Sequence, residues 1–167
     1  MDHQWDFLSV FANKNLLLIG LQNTIILGVI CLTLGLFFGI FVGAARYSRN
    51  PLLYWPSTAF VEIFRNTPVL VQIVWFFFAF PIVSPFEINA FTAATLGLTL
   101  NTTAFSSEIY RAGIQSIERS QWEAAKALGM SYFEQMRRVI MPQAVKRMIP
   151  AFMNRAVELM KMTSLAS

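Results

Sequence analysis

Ser120–Pro142, SQWEAAKALGMSYFEQMRRVIMP, is a polar and basic stretch set between apolar ones, and its reading decides the layout of the chain. Ser120 with Glu123, and Ser131 with Glu134, each have the S-x-x-E spacing of a helix start. At that spacing the serine oxygen and the glutamate carboxylate reciprocally satisfy free backbone N–H groups. Gly129 lies between the two, where a left-handed residue closes a helix at low steric cost. Pro142 lacks an N–H and biases its predecessor away from helical geometry, so it is expected to discourage continuation of the second helix. The reading is a short hairpin of helices over 120–142, shaped to dock onto something outside a bilayer.

Composition places the flanking chain in that bilayer. Hydrophobic residues make up 56% and charged residues 13%, against roughly 45–50% and 25% in soluble domains. The length suits one domain, residues 1–167. Cys31 is the only cysteine, so no intrachain disulfide can form, and its apolar setting reads as inert packing. The lone histidine, His3, has no companion at metal-ligand spacing, and no metal site is expected. The chain has no G-x-x-x-x-G-K-[ST] phosphate loop and no means of assembling a Ser/His/Asp or Cys/His constellation. It is not expected to be an enzyme.

Asn15–Ala45 carries no charge and is long enough to cross a hydrocarbon core of about 30 Å. Asn66–Phe86 and Ile88–Ser107 are also charge-free, and Pro81 and Pro85 mark the turn between them. A fourth apolar segment from Met148 is interrupted by Arg155, Glu158 and Lys161. Each of these would cost about 2.5–3.5 kcal/mol at a lipid-facing helix centre. Their i, i+3 spacing allows Arg155–Glu158 and Glu158–Lys161 pairs, so the segment should line a protein interior or a watered path. The expected fold is all-α and polytopic, with spans at about 16–45, 66–83, 88–108 and 148–166. Arg46, Arg49 and Arg65 follow the first span, and Arg111, Arg119, Lys126, Arg137, Arg138, Lys146 and Arg147 follow the third. The turn between spans two and three has no Lys or Arg. Because basic loops stay cytoplasmic, the N-terminus should lie outside and the hairpin inside. Asp2 and Asp6 stand where a cleaved leader would be basic.

Gly35, Gly39 and Gly43, with Gly28, share one face of the first span and permit close helix packing, either within the chain or across a dimer seam. Asn101, Thr102, Thr103, Ser106, Ser107 and Glu108 crowd the end of the third span. Their hydroxyls either bond backbone carbonyls one turn back or line a path for a hydrophilic solute. Gln72 could join that lining or bond between helices.

Glu123-Ala124-Ala125, then Gly129, then Ile140-Met141-Pro142, resembles the EAA signature of permease subunits of bacterial ATP-binding-cassette importers, with Met141 where Leu is usual. Phe64-Arg65-Asn66-Thr67-Pro68 through Gln72, Ser107–Ile117 and Lys161–Leu165 look like the polar amino-acid uptake branch, of histidine, glutamate, glutamine or arginine type. The resemblance implies a type I ABC importer transmembrane domain, multi-pass in the bacterial inner membrane. Residues 120–142 would be its coupling hairpin, with Glu123, Ala124, Ala125 and Gly129 engaging the ATPase. It implies two ATPase subunits that carry ATP and Mg, so that no cofactor sits on this chain. It also implies a second permease subunit, identical or homologous, and an extracytoplasmic amino-acid-binding protein. Candidate substrate-path residues are Asn101, Thr102, Ser106, Glu158 and Met162. Met162 stands where relatives often have Asp, which would alter the solute or weaken its binding. Members of this family usually continue through one more membrane helix, so the chain is expected to be incomplete.

Three other readings compete. A membrane scaffold or sensor would bind partners without moving solute. The same importer class could carry another small polar solute such as an opine. DNA binding by Trp122–Ile140, with Arg137 and Arg138 on phosphates, is disfavoured by Glu123, Glu134 and the flanking membrane segments, and no nucleic-acid partner is expected.

Overall fold

The computed structural model describes residues 14–48 and 50–164, and every regular element among them is helical. Asp2, His3, Asp6 and Arg49, and the end of the expected fourth span at 165–166, lie outside the described residues. Helix α1 (Lys14–Tyr47) has 34 residues, about 51 Å at the α-helical rise. Asn50 caps α2 (Pro51–Asn66) by accepting a hydrogen bond from the Leu52 N–H at 3.0 Å, with Pro51 at the first turn. A break at Thr67–Pro68 leads into α3 (Val69–Val83), bent 105° from α2. Asn89 accepts from the Thr92 N–H at 2.8 Å and caps α4 (Ala90–Gln115). The hairpin follows as α5 (Arg119–Ala127) and a turn α6 (Tyr132–Glu134). It passes through a π-helical stretch (Gln135–Ile140) into α7 (Met141–Thr163).

Among the described residues, α1 alone could cross a membrane by length and composition, and α2 with α3 passes the same test only as a bent pair. The weaker signal of α4 has a structural cause. Its Thr99, Asn101, Thr102, Thr103, Ser106 and Ser107 are all buried, turned into the bundle where neighbouring helices receive them. Sequence reading assigns no element to residues 51–66, yet α2 forms there. It is apolar on two faces, with Val61 fully buried against the bundle and Leu52, Trp55 and Ile63 exposed.

The α1–α4 seam is the core of the fold. Leu27, Cys31, Gly35, Gly39 and Gly43 repeat every fourth residue on α1 and are all buried. They meet a matching row on α4: Leu27 and Cys31 cluster with Ala94 and Leu98, joined by Leu159 of α7, Gly35 faces Thr102, and Gly39 faces Ser106. A Cβ at Gly39 would sit 2.7 Å from the Ser106 Cβ and 3.3 Å from the Ser107 amide nitrogen. Close approach here is therefore intramolecular, and dispersion between the backbones is the glue.

Three expectations fail locally. The S-x-x-E pair Ser120/Glu123 does not cap α5, because the helix begins earlier, at an N-cap on Glu118. Ile117 is buried in a cluster with Ile140, Ala144 and Met148, and this anchorage fixes the start. Ser120 instead donates to Glu118 at 3.4 Å, and Glu123 accepts from Arg119 Nε at 3.0 Å. Nor does Pro142 stop the second helix. The π-helical turn from Gln135 to Ile140 widens the backbone ahead of it, Pro142 falls in the first turn of α7, and the chain continues to Thr163. Pro81 likewise lies within α3, and the turn proper begins at Ser84.

The seam yields a direct test. Gly39→Leu should destabilise the protein by about 1–3 kcal/mol through overpacking. Gly20→Ala, where a Cβ meets nothing within 4 Å, should not destabilise and should raise stability by up to about 1 kcal/mol. Denaturant titration in detergent checks both.

Candidate functional site

The hairpin is locked from inside and presents its signature outward. The Gly129 φ of +74° is the only positive φ among the described residues. It lets the Gly129 N–H reach the Lys126 carbonyl at 3.0 Å and the Met130 N–H reach the Ala125 carbonyl at 3.2 Å. Together these bonds form a Schellman closure. Ser131 and Glu134 form a reciprocal capping box, with the Ser131 N–H donating to Glu134 at 3.0 Å. Trp122 stacks on Tyr132 with ring centroids 6.3 Å apart, and Gln135 Nε2 donates to the Met130 carbonyl at 2.7 Å. Arg147 of α7 donates to the Ser116 carbonyl at the end of α4. Ala125 is buried under the hairpin, whereas Glu123 and Ala124 face solvent. Beside them stand Leu128, Tyr132 and Phe133, at 77%, 60% and 71% exposure. These three exposed apolar side chains were not singled out from sequence, because only the fold reveals that they stay exposed among the described residues.

A second polar constellation lies inside the bundle and centres on Arg155. Its Nη1 donates to Glu158 at 2.9 Å, and its Nη2 donates to Asn101 Oδ1 at 2.7 Å and Thr102 Oγ1 at 3.0 Å. Its guanidinium lies 4.5 Å from the Phe105 ring centroid. Asn101 Nδ2 in turn donates to the Phe64 carbonyl at 2.9 Å. That carbonyl is free for a stated reason: its helical partner four residues on is Pro68, which has no N–H. Gln72 Nε2 supplies a second donor to it at 2.9 Å and also bonds the Thr67 carbonyl at 2.8 Å. Gln72 thus holds the α2–α3 bend.

Of the expected path residues, Asn101, Thr102 and Glu158 come together around Arg155. Ser106 does not join them; it is fully buried in the α1–α4 seam beneath Gly39. Met162 is also elsewhere, packed on the Leu27–Cys31–Leu98–Leu159 cluster. The back-bonding alternative holds for Thr103, on the Thr99 carbonyl, and for Ser107, on the Ala104 carbonyl. Arg155 pairs with Glu158, and Lys161 makes no ion pair among the described residues.

The third constellation was not foreseen. Glu108 of α4 accepts from both Arg46 of α1 and Arg111, and Arg65 of α2 approaches it at 3.9 Å. The i, i+3 spacing of Glu108 and Arg111 was its one local signal in the sequence; Arg46 and Arg65 lie far from Glu108 along the chain.

Two expected outcomes follow. Asn101→Leu takes an acceptor from buried Arg155 and a donor from the Phe64 carbonyl, and should cost about 1–3 kcal/mol. Glu158→Gln, with its side chain half exposed, should cost less in the same denaturant titration. In the hairpin, the Ser131 N–H and hydroxyl hold the Glu134 carboxyl below its ordinary value, with a smaller contribution from Arg138. The capping box therefore contributes above the unperturbed carboxyl pKa of about 4.3 and is lost as pH falls through the lowered value. Ser131→Ala should move the Glu134 titration upward, read by carboxyl carbon NMR.

Comparison with known proteins adds the identity. Residues 35–167 match the family described as binding-protein-dependent transport system inner membrane component. YckA of Bacillus subtilis, named a probable amino-acid ABC transporter permease, is 37% identical over 89% of this chain and 65% of its own length. GlnP of the same bacterium, a probable glutamine ABC transporter permease, is 37% identical over 96% of this chain and 74% of its own. The arginine transport system permease ArtQ is 34% identical over 97% and 74%. The chain thus spans about two thirds to three quarters of these relatives. Among solved structures, that of an amino acid ABC transporter with histidines superposes with a TM-score of 0.92 at 34% identity, over 98% of this chain and 76% of the other. The methionine ABC transporter MetNI, in inward-facing form, shares the fold with a TM-score of 0.65 at 24% identity. The hairpin, the glycine seam and the matched segment have one common explanation: the chain belongs to the inner membrane component family of binding-protein-dependent transport systems.

Proposed function

We propose that this chain is a membrane-spanning subunit of an ATP-driven importer for a polar amino acid, delivered by an extracytoplasmic binding protein. The observation that carries the reading is the hairpin. It exposes Glu123, Ala124, Leu128 and Phe133 as one polar-and-apolar surface, while Gly129, the capping box and Trp122–Tyr132 hold it rigid. The Gln135–Ile140 stretch joins that surface without a break to α7, which carries Arg155 and Glu158 into the bundle. A push on the hairpin is thereby transmitted to the polar seam. In this reading two ATPase subunits supply the push and hold ATP and Mg, and Glu123 meets a basic group on one of them. A second permease subunit completes the path.

The amino-acid substrate is supported by the relatives named for glutamine and arginine transport. Asn101, Thr102 and Glu158, gathered on Arg155, are the groups we assign to the solute path. Orientation follows from charge: Arg46, Arg65 and Arg111 gather at one end of the bundle, with Arg119, Lys126, Arg137 and Arg138 beyond. This end is cytoplasmic by the positive-inside rule, and the N-terminus is outside. The spans are α1, α3, α4 and α7.

Glu123→Lys reverses the proposed contact, and the loss of a charged hydrogen bond of about 1.5–3 kcal/mol should lower ATP-dependent uptake by about tenfold or more. Gly129→Pro cannot adopt a positive φ and should do the same. In vesicles containing the full assembly, both variants should retain the membrane-inserted subunit while uptake of labelled amino acids falls. Unchanged uptake in both would refute the coupling role. A wild-type assembly that binds its partners but moves no solute would favour a scaffold or sensor.

A further inference from the structure

Phe105 of α4 is the residue on which the two charged constellations meet. Asn101, Phe105 and Glu108 fall at i, i+4 and i+7, on one face of α4, and α2 and α7 both pack on that helix. Asn101 holds Arg155 of α7, and Glu108 is approached by Arg65 of α2. Between these levels the Phe105 ring takes both cations. The Arg155 guanidinium carbon lies 4.5 Å from its centroid and that of Arg65 lies 5.3 Å from it. One aromatic ring is thus shared by like charges from two helices.

The two arginines depend on the ring to different degrees. Arg65 is about a third exposed and has Glu108 at 3.9 Å. Arg155 has a side chain only 2% exposed, whereas Glu158, its ion-pair partner, is at 48%. A buried cation whose carboxylate lies half in the open keeps much of its desolvation cost. Asn101 and Thr102 accept from Nη2 and Glu158 accepts from Nη1, but the buried Nε has no hydrogen-bond partner among the described residues. The negative face of the Phe105 ring is the compensation that remains, and such a face attracts a cation most strongly where the cation is desolvated.

Burial also sets a direction. Because Arg155 is enclosed and Glu158 is not, a solute entering the polar seam meets the Glu158 carboxylate first. What it finds there depends on where Arg155 is held. Anchored on Phe105, Asn101 and Thr102, the guanidinium gives Glu158 a single hydrogen bond, from Nη1 to Oε2. An ionised carboxylate bonded in this way retains acceptor capacity for an ammonium group. A guanidinium released from the ring is free to turn onto Glu158 and occupy both oxygens as a bidentate pair.

We propose that Phe105 is a positioning residue for solute binding: its ring holds the Arg155 guanidinium on α4, so that the Glu158 carboxylate stays open to the ammonium group of the transported amino acid. The inference rests on the solute path assigned above to Asn101, Thr102 and Glu158. Phe105 acts through Arg155 and does not itself touch the solute.

Two measurements test it. In the full chain in detergent, the Arg155 side-chain nitrogen NMR signals, identified by their loss in Arg155→Lys, should carry a ring-current shift that collapses in Phe105→Leu. The assembly of permease and ATPase subunits, purified without the binding protein, is then titrated with labelled glutamine and labelled arginine. The unaltered assembly should bind at least one of them. Phe105→Leu, which keeps apolar bulk and loses the ring, should weaken that binding about fivefold, the size of one cation–π contact. Phe105→Tyr, which keeps the ring, should retain most of the affinity. An Arg155 signal unmoved by Phe105→Leu, or an affinity unmoved by it, would overturn the proposal and leave the transport reading standing. Equal weakening by Phe105→Leu and Phe105→Tyr would also overturn it, because packing rather than the aromatic face would then be responsible. An unaltered assembly that binds neither amino acid would remove the solute-path assignment itself, and this inference with it.

Discussion

Close approach of α1 and α4 is the constraint from which the rest of the structure follows. A row of small residues on α1 brings two backbones together until Thr102 and Ser106 fill the space side chains would otherwise take. Committing that face of α4 to α1 sends its other polar groups elsewhere. Asn101 meets α2 and α7, Phe105 lies beside Arg65 and Arg155, and Glu108 gathers arginines from α1 and α2. In a bilayer no hydrophobic force separates helix from lipid, so packing and satisfied polar groups must specify the bundle. Helix α4 supplies both, as the element that α1, α2, α3 and α7 all contact.

A missing hydrogen shapes the second half of that arrangement. Pro68 cannot donate to the Phe64 carbonyl, and the chain turns there. An orphaned carbonyl inside a membrane protein is costly. Gln72 and Asn101 both answer it, and Asn101 uses its remaining oxygen to hold Arg155. One proline thereby links the direction of α3 to the placement of a buried cation on α7. The arrangement joins the polar interior to the bend by hydrogen bonds rather than by apolar contact alone.

The hairpin differs in kind from the bundle. Its shape is set by local chemistry, namely a glycine with positive φ, a Schellman closure and a capping box, and is then braced by Trp122 on Tyr132. Its seat is set by Ile117, Ile140, Ala144 and Met148, which tie it to α4 and α7. In the coupling role proposed above, a locally rigid element on a continuous helix would transmit displacement without having to refold, and the π-helical stretch lets that helix pass Pro142.

The sequence by itself determined what short-range physics controls. Gly129 had to be a turn, Ser131 and Glu134 had to cap each other, Arg155 could reach Glu158 one turn away, and the Gly35–Gly39–Gly43 row had to meet something close. The EAA pattern pointed to the family because its residues are contiguous. Where competing anchors acted at a distance, local reading failed. Burial of Ile117 moved the start of α5 away from Ser120, and a widened turn carried the helix through Pro142. Tertiary structure alone decided that Ser106 and Met162 pack in seams while Asn101 and Thr102 meet Arg155. It alone showed that Arg46, Arg65 and Arg111 share one glutamate and that α2 exists as a separate helix. Apart from Arg111, which is one turn from Glu108, those outcomes depend on which faces of distant helices are brought together, and neither spacing nor composition encodes the distance between residues far apart in the chain.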